Sequence, residues 1–99
     1  MINVLIHHEV ADYIAWKAAF DAAFDWRRKN GERSCRILRS AGNVTDLTLF
    51  FEWESSLEKA RAFIASEELK ATLASAGVKG PPRVDFLTEV QSVRRSAAD

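Results

Sequence analysis

The stretch His7-His8-Glu9, within NVLIHHEVADYIAW, holds both histidines of the chain beside a carboxylate. An imidazole titrates near neutrality, so histidine next to glutamate raises proton transfer and metal ligation as candidate chemistries. Strand geometry divides the triplet. Residues 2–10, INVLIHHEV, are aliphatic and β-branched and end at a turn-like Ala11-Asp12, the pattern of a strand. Neighbouring strand side chains point to opposite faces, so His7 and His8 cannot chelate one ion, whereas His7 and Glu9 share a face. Glu52, Asp85 and Glu89 fall on that same face by parity. Metal centres usually recruit more histidine or cysteine than this, and no metal site is expected. His7 is the proton-transfer candidate, with Glu9 orienting or charge-stabilising its ring; the alternative is a surface histidine at an interface rim. His8 falls on the helix-facing side, where it is expected to satisfy a backbone group near the first helix.

The rest of the chain must position these residues. Ninety-nine residues suffice for one domain with a modest core. Fourteen basic residues balance fourteen acidic ones, so no net field draws the chain to nucleic acid or an anionic membrane. A single cysteine, Cys35, excludes an internal disulfide and fits a reducing compartment. No apolar run matches a signal peptide or a membrane span, and a cytoplasmic protein is expected.

Asp12 suits a helix N-cap, and Trp16, Phe20, Ala23 and Phe24 recur at helical spacing after it. Arg27-Arg28-Lys29 and then Asn30-Gly31 provide the charge and the cap that end one long helix. Residues 33–40 and 45–54 read as strands joined by a hairpin at Ala41-Gly42-Asn43-Val44. Ser55-Ser56-Leu57-Glu58 has capping-box spacing, with Ser55 as the expected N-cap. A further helical piece spans 67–75. Lys79-Gly80-Pro81-Pro82 then forces an extended entry into a last strand at 83–91. The order is β-α-β-β-α-β, a ferredoxin-like α+β fold with a four-stranded antiparallel sheet, expected over residues 1–91 with a polar tail at 92–99.

Parity sorts the sheet into two faces. Val4, Ile6, His8, Val10, Cys35, Ile37, Leu47, Leu49, Phe51, Trp53, Val84, Phe86 and Val90 form an apolar set that must lie under the helices. Asn3, Leu5, His7, Glu9, Arg36, Leu38, Thr48, Phe50, Glu52, Asp85 and Leu87 face the other way. Leu5, Leu38, Phe50 and Leu87 would leave one sizeable apolar residue per strand uncovered, a patch that suits a partner or ligand. A second copy applied to that face would close a two-sheet barrel, so a homodimer is expected.

His8-x-Val10-x-Asp12-Tyr13-x-x-Trp16, LFFEWES (49–55), KARAF (59–63) and GVKGPPRVDFLTEV (77–90) resemble small proteins of the dimeric α+β barrel superfamily. The nearest group is the antibiotic-biosynthesis-monooxygenase-like and cyclase-like proteins. The similarity spans residues 2–91. It implies a cofactor-free enzyme acting on a hydrophobic aromatic or polyketide-like molecule, with no cofactor, His7 as proton-transfer residue and Asn3 as polar orienter. Glu9, Phe50, Glu52 and Trp53 are the expected ligand contacts. Haem-degrading members of the superfamily carry a histidine on the helical layer, and both helical regions here lack one. The other reading is a non-catalytic ligand-binding or stress-related homodimer.

Overall fold

The computed structural model describes residues 1–97, so Ala98 and Asp99 of the expected tail lie outside the described residues. In chain order the elements are β1 (Ile2–Val10), α1 (Tyr13–Ala22), α2 (Phe24–Asn30), β2 (Glu32–Ser40), β3 (Asn43–Trp53), α3 (Leu57–Ile64), α4 (Glu67–Ser75) and β4 (Val78–Leu87). The strands form one antiparallel sheet in the order β2-β3-β1-β4. This is the expected ferredoxin-like α+β fold, with the helices layered on one face. No helix among the described residues is long and apolar enough to cross a membrane.

Local chemistry explains most boundaries. Asp12 caps α1, its Oδ1 accepting from the amide of Ile14 at 2.9 Å. Ser56, one residue later than expected, caps α3 by accepting from the Lys59 amide at 3.1 Å. Ser66 caps α4 in the same way through the Leu69 amide at 3.2 Å.

Three larger features depart from the sequence expectation. The single helix of residues 13–30 is two, interrupted at Ala23 (φ −92°, ψ 9°). At the break the carbonyl of Phe20 accepts from Nη1 of Arg27 at 2.5 Å, so a side chain compensates for the interrupted ladder. The last strand begins at Val78 and includes the prolines. It pairs His7 with Arg83 but Glu9 with Lys79, so Gly80, Pro81 and Pro82 bulge opposite His8 alone. The prolines are tolerated because β4 is an edge strand and the bulge requires no donors from them. Finally, β4 ends at Leu87, and Val90, expected in the core, is 97% exposed.

The two faces otherwise sort as parity requires. Val4, Ile6, Val10, Leu47, Leu49, Phe51 and Trp53 are buried beneath the helices, joined by Trp16 from α1 and Ala60 from α3. Gly31 (φ 130°) ends α2 against the indole of Trp53, where an added Cβ would lie 2.5 Å from Nε1.

Candidate functional site

Between the sheet and the helices lies a cavity of about 80 Å³. Its floor is Val4, Ile6 and His8 of β1 with Leu49, Phe51 and Trp53 of β3. Trp16 and Phe20 of α1, Trp26 and Arg27 of α2, Phe63 of α3 and Leu73 of α4 form much of the roof. The bulged Pro82 and Val84 complete one side. The walls are almost wholly apolar and aromatic because β1, β3 and β4 contribute helix-facing residues here.

His8 is the exception. Its residue is 4% exposed, and neither Nδ1 nor Nε2 has a hydrogen-bond partner. The ring meets Trp16 edge to face, with centroids 5.7 Å apart. Burial, and secondarily the neighbouring His7, lowers its pKa from 6.5 to about 4, so His8 is neutral at physiological pH. A neutral imidazole presents one donor and one acceptor. Buried polar groups are normally paired, so two idle nitrogens on a cavity wall are two hydrogen-bonding positions open to a ligand. Among the described residues, Trp53 Nε1 is the other buried side-chain nitrogen without a partner.

Arg27 also belongs to the wall without being free. Its Nε donates to Glu32 Oε1 at 2.7 Å, and the guanidinium carbon lies 3.7 Å from the Phe20 ring centroid. Both members of the pair are buried. The cavity therefore carries no uncompensated charge, which favours an uncharged occupant.

The residues singled out in the sequence fall in two places. Trp53 lines the cavity. Asn3, His7, Glu9, Phe50 and Glu52 lie on the open face of the sheet and are absent from the cavity wall. His7 is exposed and its Nε2 contacts Asp46 Oδ1 at 2.5 Å. Glu9 lies 3.8 Å from Lys79 Nζ. Glu52 accepts from Ser34 Oγ at 2.7 Å, and Asn3 pairs with Glu52 on one side and Leu87 on the other. Asn3 and His7 stand four residues apart on one strand, ~13 Å along it, too far to act on one atom. Phe50 pairs with Leu5 and Arg36 at the centre of the open face.

Sequence reasoning passed over three functional candidates. Asp46, the partner of His7, was accessible from the parity of 46, 48, 50 and 52. The Arg27–Glu32 pair carries no sequence signal beyond its spacing. His8 was correctly sent to the helix side, but no backbone group satisfies it there. Cys35 is half-buried, and burial, then Glu32, pushes its thiol up to about 12, so it is no thiolate nucleophile at neutral pH. Among the described residues no group of three or more His, Cys, Asp or Glu is arranged to hold a metal ion.

No family model matches this sequence, and no curated protein matches it. Solved structures do. SnoaB, a cofactor-independent oxygenase from Streptomyces nogalater, superposes with a TM-score of 0.72 at 11% identity, over 95% of this chain and 97% of that one. A monooxygenase from the gene ActVA-Orf6 of Streptomyces coelicolor, in complex with the ligand nanaomycin D, gives 0.67 at 22% identity, over 96% and 92%. Rv0793 from Mycobacterium tuberculosis gives 0.65 at 20% identity, over 94% and 98%. At these identities the likeness is one of fold, the ferredoxin-like α+β fold expected from the sequence.

Proposed function

We propose that this chain is a small cofactor-independent oxygenase that takes an uncharged aromatic or polyketide-like molecule between its sheet and its helices. The observation that carries this reading is His8: a buried, neutral imidazole with both nitrogens idle, in the wall of an aromatic cavity. A phenol or enol hydroxyl would donate to the His8 acceptor nitrogen and pass its proton there. The resulting imidazolium is stabilised by the anion it has just created, so transfer is favoured only with substrate in place. The electron-rich anion then reduces dioxygen. For an aromatic methylene the balance is CH2 plus O2 giving C=O plus H2O, one oxygen atom entering the product and the other leaving as water. His8 thus takes the role for which the sequence put forward His7.

The open face is assigned to a second copy of the chain. Leu38 and Leu87 are each exposed, and with Leu5 and Phe50 they form an apolar strip rimmed by His7–Asp46 and Arg83–Asp85. On this reading Asn3, Glu9, Phe50 and Glu52 serve the interface, and a cytoplasmic setting suits the free Cys35.

A non-catalytic ligand-binding dimer is the second reading. The cavity, about 80 Å³, is smaller than the about 150 Å³ of an engineered apolar cavity that admits benzene, so either reading requires it to widen around an aromatic ring. Oxygen uptake with anthrone as the test substrate separates the two. The oxygenase consumes one O2 per quinone formed; a binding protein quenches its tryptophans with anthrone and consumes none.

A further inference from the structure

We propose that the groove outside the α1–α2 break is the vestibule of the cavity, and that Arg27, latched to Glu32, is the door between them. This rests on the cavity being a ligand site, but not on turnover there. The groove, about 470 Å³, lies against β2 and is lined by Phe24, Glu32, Cys35 and Ile37 among others. Only Phe20 and Arg27 line both the groove and the cavity. They therefore form the partition between the two spaces.

The partition is built as a separable contact. The guanidinium carbon lies 3.7 Å from the Phe20 ring centroid, Nη1 donates to the Phe20 carbonyl across the helix break, and Nε is held by Glu32. The helix that carries it has seven residues, and Arg27 is the buried one. The break at Ala23 supplies a point where backbone torsions can change without disturbing α1. Releasing Arg27 from Glu32 would free α2 to swing and would join groove to cavity. The cavity, about 80 Å³, is smaller than one that admits benzene, about 150 Å³, so it must widen before an aromatic ring is held, and release of α2 would widen it. The groove side also has polar groups other than the latch, Asp21 and Ser34, that can receive the guanidinium while it is displaced.

The test uses Arg27→Met/Glu32→Leu, because replacing a buried ion pair by apolar side chains of similar size generally preserves the fold. Stopped-flow mixing with 2-naphthol, read by tryptophan quenching, is expected to show association accelerated by about tenfold, whatever the altered lining does to Kd. An unchanged association rate would leave Arg27 as lining alone and overturn the proposal. Acrylamide quenching in a Trp26→Phe background, where the remaining tryptophans are Trp16 and Trp53, both buried, reads the door without any aromatic ligand. The double variant should be quenched several-fold more readily than its parent. Equal quenching rejects the door; unequal quenching with no uptake of 2-naphthol keeps the door and rejects the ligand site.

Discussion

His8 and Trp16 meet edge to face beneath the sheet, their ring centroids 5.7 Å apart at 74°, and the imidazole makes no hydrogen bond in that position. An aromatic neighbour supplies packing but no replacement for the water that His8 gave up on folding. The site is therefore held at a cost in stability, the usual signature of a group kept for something other than the fold.

His8→Leu should consequently stabilise the protein. Removing an unsatisfied buried imidazole in favour of a hydrocarbon of similar bulk should gain about 1 kcal/mol in urea denaturation. The same substitution should abolish quenching of the tryptophans by 2-naphthol. A loss of stability instead would mean that His8 has a structural partner.

The titration of His8 gives stability a definite pH dependence. Its folded pKa of about 4 lies below the ordinary 6.5, so between these values the unfolded chain binds the proton and the native one does not. Stability from this group is fully present above the higher value and falls as pH drops toward the lower one, by about 3 kcal/mol in all. Chemical denaturation across this range should show the slope in the wild type and lose most of it in His8→Leu.

Gly31→Ala is expected to be among the most damaging single changes. The backbone there has φ 130°, and the new methyl would meet Trp53 Nε1 at 2.5 Å and Cδ1 at 2.8 Å. Backbone strain and overpacking together should cost about 3 kcal/mol, read as a fall in Tm. An unchanged Tm would mean that the Trp53 indole has room to move.

The open face should hold two copies together. Wild-type protein is expected to sediment as a dimer at micromolar concentration. Phe50→Lys, which sets a charge among Leu5, Leu38 and Leu87, should give a folded monomer with unchanged circular dichroism. A monomeric wild type would leave that apolar strip without an occupant.

Much of the fold was legible because strand parity and helix caps are local properties. The alternation in INVLIHHEV separated Val4, Ile6 and Val10 from Leu5, His7 and Glu9, as observed. The break at Ala23 was hidden because Trp16, Phe20, Ala23 and Phe24 keep a helical period through it, and the side chain that compensates there, Arg27 reaching back to the Phe20 carbonyl, has no signature in that period. Pro81 and Pro82 read as the extended entry to the last strand and not as part of it, because a bulge against His8 on an edge strand cannot be read before the register is known. The candidate site was less legible still. Parity assigned His8 to the core, but whether a buried imidazole finds a partner depends on contacts from α1 and β4 that no spacing encodes. A void among well-patterned apolar residues leaves no trace in the pattern.

Oxygen consumption with anthrone, compared between His8→Leu and His7→Ala, tests the central claim most directly. The account predicts uptake of one O2 per quinone in the wild type and in His7→Ala, and loss of at least about a hundredfold in rate for His8→Leu. Retained turnover in His8→Leu together with its loss in His7→Ala would contradict it, and would move the chemistry to the open face.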